Sequence, residues 1–240
     1  MIILACDTSG NIGSCALLDN DRPLAVLSEK GGAHSATFLP MVLRLLTDAG
    51  AGFADIGLYA CATGPGSFTG IRIGVATVQG MAFAAGRPAI GVTSLEALAW
   101  PLSGRARELV CPVIDARNDR VYAQVFLDGV PVVAPAALAV DALLEALDAL
   151  PGRQSVVFCG DAADAVAARA SLRPGAHPVG PPAHRERSAV WIGQAALPRF
   201  LASPDRFEPQ TLLPFYLGRS QAERARGIDA AAWQPPPFER

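Results

Sequence analysis

Apolar positions along this chain recur with two periods, and the changes between them mark out its elements. Ile2 to Cys6 is a short apolar run that meets the polar stretch Asp7-Thr-Ser-Gly-Asn11, and Ile12 to Leu18 follows, closing at Asp19-Asn-Asp21. This reads as strand, tight turn, strand, with Pro23 to Ser28 as a third strand. Leu39, Val42, Leu43 and Leu46 then fit the i, i+3, i+4, i+7 template of a helix closed by Gly50 and Gly52, with Met41, Leu45 and Ala49 as a second apolar flank. Ile56 to Ala62 reads as a buried strand, Gly64-Pro-Gly-Ser-Phe-Thr-Gly70 as a stiff loop, and Ile71 to Gly86 as a helix. From Ile73 onward that helix carries no charge. Val75, Val78 and Ala82 line one side and Met81, Phe83, Ala84 and Ala85 the others, so it is expected to be covered all round. The cover comes either from the rest of the chain or from a second subunit, and the greasy flank of the preceding helix favours the second subunit.

Further on, Ala89 to Val92 reads as a strand and Ser94 to Trp100 as a helix stopped by Pro101. The opening unit then echoes. Val110 to Ile114 leads through Asp115-Ala-Arg-Asn-Asp119 to a returning strand, Val121 to Leu127, which closes at Asp128-Gly129. Ala139 to Leu150 and Ala162 to Ala170 read as helices flanking the strand Ser155 to Cys159. Pro174 to Pro182 reads as a loop, and Ser188 to Leu201 as a helix interrupted near Pro198. The division expected is a first lobe over 1–103, a second over 104–221 and a mobile polar tail over 222–240.

At 240 residues, 51% hydrophobic and 18% charged, the chain can bury a large core. A formal net charge of −2 provides no global basic field to hold a nucleic acid. The apolar start lacks a basic flank and meets Asp7 at once, so it reads as a strand and not as a signal peptide, and no uncharged run is long enough to span a bilayer. Five cysteines, odd in number and without a C-x-x-C pair, read as buried reduced thiols of a cytoplasmic protein. Lys30 is the single lysine among 20 basic residues, so arginine is the general choice here and marks no site.

The glycine loop between strand and helix is where chemistry is expected. A helix N-terminus offers unpaired N–H groups, and glycine lets an anion approach them. No lysine follows Gly70, so the loop is not a Walker A motif, and Thr69 stands where a dinucleotide fingerprint needs its third glycine. An anion cradle and a tight packing turn both fit. The candidate contacts are Asp7, Thr8, Ser9, Gly64, Gly66, Ser67, Thr69, Gly70 and Arg72, with Arg117 and Arg120 in the second turn. Asp7 and Asp115 serve either a hydrated cation or the backbone of their own turns. Ser67 has no sequence-identifiable base and no G-x-S-x-G elbow around it, and His34, His177 and His184 show no ligand spacing and read as surface or loop residues.

The DTS turn at Asp7, GPGSFTGIRIG from Gly64, PAIGVTSLEAL from Pro88, IDAR from Ile114 with Val121-Tyr122, and FYLGR from Phe215 stand in the order that makes this sequence resemble the bacterial TsaB (YeaZ) family. The likeness covers most of residues 1–126 and resumes near the C-terminus; between Leu127 and Phe207 there is no usable signature. It implies an α/β fold of the actin-like, Hsp70-like (ASKHA) class, with two related lobes each built on a hairpin-led mixed sheet. It also implies a cytoplasmic partner of TsaD in forming threonylcarbamoyladenosine in tRNA, with TsaE in the assembly and tRNA met only through the complex. TsaD-like paralogues carry two metal-binding histidines four residues apart; Ser94 and Leu98 stand at those positions here, so no intrinsic metal, catalytic residue or cofactor is expected, beyond ATP or ADP at the interface with TsaD. The expected interface is Leu39, Val42, Leu45, Leu46, Ile71, Val75, Val78, Met81 and Ala82. The chain alone would form a homodimer there, and Val78→Glu would break it. The rival readings are an independent ATP-dependent enzyme using Asp7 and the glycine loop, and a peptidase.

Overall fold

The computed structural model describes residues 1–31, 34–152, 154–173 and 177–218. The elements in chain order are β1 (Ile2–Asp7), β2 (Ile12–Asp19), β3 (Arg22–Lys30), α1 (His34–Asp48), β4 (Ile56–Gly64), α2 (Phe68–Ala85), β5 (Ala89–Thr93) and α3 (Ser94–Ala99), followed by β6 (Leu109–Asp115), β7 (Arg120–Leu127), β8 (Val130–Ala139), α4 (Val140–Asp148), β9 (Val156–Cys159), α5 (Ala163–Ser171) and α6 (Ala189–Ala202).

The strands form two mixed sheets, ordered β3-β2-β1-β4-β5 and β8-β7-β6-β9. Each sheet begins with an antiparallel meander of three strands, and a later strand joins the first of them in parallel: β4 beside β1, β9 beside β6. The echo seen in the sequence is therefore a repeat of topology. Strand periodicity explains how the layers stack. In β1, Leu4 and Cys6 point to the core under α1 and α2, while Ile3 and Ala5 point to the core under α6. In β6, Cys111 and Val113 join the core with α4 and α5, and Val110 and Ile114 meet Leu95 and Leu98 of α3. Since Ala97 faces the first sheet's core, the short helix α3 is wedged between the two sheets.

Local chemistry sets the ends of the helices. Ser67 caps α2, its hydroxyl accepting from Gly70 N at 3.2 Å, and Gly86 ends it in the left-handed region at φ 61°. Thr93 and Glu96 form a reciprocal capping box on α3. Three differences from the sequence reading stand out. The helix ending the second half is not interrupted: α6 runs through Pro198. α1 begins at His34, upstream of its Pro40. β8 is an additional strand, although Pro131 and Pro135 argue against one; it lies at the edge of its sheet, where a missing N–H is tolerated. The tail 222–240, residues 174–176 of the Pro174 loop and Arg219 of the FYLGR segment lie outside the described residues. Among the described residues, no helix is long and apolar enough to cross a membrane.

Candidate functional site

The turn after β1 and the loop before α2 close on each other. Asp7 is buried, and its Oδ1 accepts from Ser9 N at 2.7 Å and from Ser9 Oγ at 2.6 Å, which folds the turn. Its Oδ2 is enclosed without a hydrogen-bond partner among the described residues. Thr8 Oγ1 donates to Gly70 O at 2.7 Å, and Ser67 N donates to Ser9 O at 2.7 Å. The glycines allow this approach. A Cβ on Gly70 would stand 2.0 Å from Thr8 O, on Gly74 2.3 Å from Thr8 Oγ1, and on Gly66 2.2 Å from Ser9 O.

The space opened by the glycines on this side is thus taken by the chain's own first turn, the close packing that one of the two readings of the loop requires. Gly64 serves the same end on the other side, where a Cβ would lie 2.6 Å from Phe215 O. Arg187 closes the rest. Its Nη1 donates to Ser9 O and Ser9 Oγ at 3.1 Å each, and its Nη2 reaches Asp161 Oδ2 at 3.1 Å. Asp161 Oδ1 in turn accepts from Asp115 N at 2.8 Å, and Asp115 Oδ1 accepts from Arg117 N at 2.8 Å. One guanidinium therefore ties the first hairpin turn to the second. The groups around this cleft bond to one another across it.

The other candidates are placed as follows. Thr69 is exposed at the start of α2. Arg72 lies over the Phe68 ring, 3.9 Å from its centroid, and its Nε donates to Tyr216 Oη at 2.8 Å. Arg120 Nη2 donates to Ala137 O, while Arg117 is exposed. Ser67 Oγ accepts from Gly70 N in the helix cap, and no His, Asp or Glu bonds to it among the described residues. Ser94 Oγ donates to Ser9 Oγ at 3.0 Å, and Leu98 is buried among Leu95, Val110 and Cys159. Among the described residues no group of three or more His, Cys, Asp or Glu is arranged to hold a metal. His34 Nε2 donates to Gly10 O, and the His184 ring lies tilted at 60° against Trp191, the centroids 4.8 Å apart. His177 lies in the loop after α5, as read, with its side chain buried and bonded to Gln154 O. Arg187 and Asp161 were missed because they lie in the stretch without a signature, and Arg187 meets Ser9 across 178 positions of sequence.

The outer layer of the first sheet also corrects the expected interface. Val42, Leu45, Leu46, Ile71, Val75, Val78 and Ala82 are buried against the sheet, Met81 is half-buried, and only Leu39 of that set is exposed. The helical phase is the reason. The core positions of α1 are Phe38, Met41, Val42, Leu45 and Leu46, one residue out of step with Leu39 and Leu43. The outer face of the pair is instead Leu39 and Leu43 of α1 with Ala76, Gly80, Phe83 and Ala84 of α2. Phe83 is 74% exposed, and no described residue covers this face.

A family model described as TsaD, tRNA N6-adenosine threonylcarbamoyltransferase, matches residues 28–225. Over 125 residues the chain is 41% identical to a protein of Escherichia coli (strain K12) described as tRNA threonylcarbamoyladenosine biosynthesis protein TsaB, the match covering 51% of this chain and 53% of that relative. It thus spans about half the length of the curated relative. A crystal structure from Pseudomonas aeruginosa, described as an uncharacterized protein with similarity to peptidase YEAZ, aligns over 90% of this chain and 99% of its own, at 31% identity and a TM-score of 0.70. The chain belongs to the TsaB/YeaZ family. By the extent of its match it also belongs to the wider family that the TsaD model describes. At 12% identity and a TM-score of 0.54, the ethanolamine utilization protein EutJ from Carboxydothermus hydrogenoformans shares the fold alone. That fold is the two-sheet α/β architecture of actin-like, Hsp70-like ATPases.

Proposed function

We propose that this chain is a non-catalytic subunit of the machinery that forms threonylcarbamoyladenosine in tRNA. It pairs through the outer faces of α1 and α2 with a TsaD-like subunit, which transfers the threonylcarbamoyl group from threonylcarbamoyl-AMP to adenosine, and it helps to seat TsaE. Alone, it pairs with a second copy through the same face. The observation that carries this reading is the uncovered face of Leu39, Leu43, Ala76, Gly80, Phe83 and Ala84, all apolar or small, on two helices whose opposite sides are core. Further support comes from the hydroxyls of Ser9 and Ser94, whose protons are both given to groups of the chain itself. No step is assigned to a nucleotide held by this chain.

The test is transfer to tRNA with purified TsaD, TsaE and a source of threonylcarbamoyl-AMP, with and without this chain. Product is expected only when TsaD and this chain are both present, and product without it would overturn the proposal. ATP turnover by the chain alone, lost in Asp7→Ala, would assign it an independent enzymatic role. The placement is tested by Phe83→Glu, which is expected to leave the fold intact while shifting the chain from dimer to monomer in light scattering. Val78→Glu puts a charge into the core of the subunit and is expected to unfold it.

A further inference from the structure

The stripe of α2 that carries the uncovered face continues past Ala76 to a cation. Phe83, Gly80, Ala76 and Arg72 are all exposed and follow at intervals of three and four residues, so they lie along one side of the helix. Arg72 is held in place there. Its guanidinium carbon lies 3.9 Å from the centroid of the Phe68 ring and 5.8 Å from that of Tyr216, and its Nε donates to Tyr216 Oη at 2.8 Å. The two rings are themselves packed, their centroids 4.9 Å apart. Nη1 and Nη2 make no hydrogen bond among the described residues. A guanidinium fixed in this way has little side-chain freedom left to lose when it meets an anion.

A partner that covers this stripe along its length takes water from Nη1 and Nη2. An arginine stripped of water needs a carboxylate in exchange. The field at this end of the helix favours one as well, since no acidic residue stands in the first turn of α2 to offset the positive end of its dipole. A second copy of the chain has little to give. α1 and α2 between them contain one carboxylate, Asp48, and it already lies 3.6 Å from Arg44 Nε of its own helix.

From this we infer that Arg72 selects the partner: the subunit that covers α1 and α2 carries a carboxylate opposite Arg72, and a second copy of this chain does not. The inference rests on the pairing proposed above. It makes the pair of unlike subunits tighter than the self-pair, because only the unlike subunit gives the covered guanidinium its counter-charge.

The test compares Arg72→Gln with the unchanged chain in two associations, with purified TsaD and with itself, each followed by analytical sedimentation at low and high salt. Arg72→Gln is expected to weaken association with TsaD by about tenfold or more and to remove most of its salt dependence. Self-association should stay as it was or tighten. Arg72→Lys should recover only part of the loss, because the charge returns without the planar fork. An unchanged affinity for TsaD, or an equal loss in both associations, would overturn the assignment. Phe83→Glu distinguishes this from the pairing itself. Association with TsaD that is broken by Phe83→Glu but indifferent to Arg72→Gln leaves the pairing standing and removes Arg72 from it, whereas indifference to both removes the face. Arg72 is exposed, so its variants take no atom from the core.

Discussion

Cys6 sits in register with Cys15 on one neighbouring strand and Cys61 on the other, so three thiols stand side by side beneath α1 and α2. Burial raises all of them: Cys15 is pushed up to about 12, and Cys6 and Cys61 rise further with Asp7 adding its charge. In the second sheet burial pushes Cys159 up to about 12 and raises Cys111. Such groups are poor nucleophiles, and none of the five is expected to react with iodoacetamide at pH 8 until urea unfolds the chain. The pH dependence has a definite sign. An unfolded thiol titrates near about 8.5, and the folded one higher, so the unfolded state loses its proton first. Stability is therefore unaffected by these thiols below about pH 8.5 and falls as pH rises from there toward 12. Urea midpoints measured across that range check it, and a flat profile would show that the thiolates are tolerated inside. The burial of these cysteines was legible from their apolar neighbours. Their alignment was not, because register belongs to pairs of strands.

At the scale of the element, two of the three glycines of α2 have opposite meanings. Gly70 faces the first turn, where a Cβ would press on Thr8 O, whereas a Cβ on Gly80 would meet nothing within 4 Å. Gly70→Ala is expected to lower the stability of the chain by about 2 kcal/mol or more, and Gly80→Ala to raise it by about 0.5–1 kcal/mol through better helix propensity. Urea unfolding of the two variants separates them, and a similar loss in both would mean that Gly80 is also packed. The presence of both helices was legible from their apolar periodicity. Their phase was not. A helix apolar on nearly every side, as α2 is, presents several equivalent stripes, and only contact with β4 and β1 chose Ile71, Val75 and Val78. In α1, Leu39 and Leu43 satisfied the template as well as Phe38 and Met41 did, and the sheet took the second pair.

Across the whole molecule, Arg187 is the tie between the two hairpin turns. It is largely enclosed, its side chain 15% exposed, and it holds Ser9 with one nitrogen and Asp161 with the other. Arg187→Ala is expected to cost about 1.5–3 kcal/mol, the range for hydrogen bonds to a charged group. Arg187→Lys would recover only part of that, since one ammonium cannot span both partners. Hydrogen exchange at the amides of Ser9, Ser67 and Asp115 should rise in Arg187→Ala. Unchanged protection there would show that the turns hold without the bridge.

Sequence by itself determined most of the elements, the repeated strand-turn-strand unit and the family, since these rest on local periodicity, turn chemistry and short motifs. It also pointed to the Asp7 turn and the glycine loop as the place to look for a site. Only the tertiary structure decided that the loop's open space is filled by Thr8 and Ser9, that Arg187 reaches Ser9 from 178 residues away, and which faces of α1 and α2 stay uncovered. Local pattern states what a segment prefers to bury, but it does not name the neighbour, and for Gly66 and Gly70 the neighbour is the backbone of the first turn.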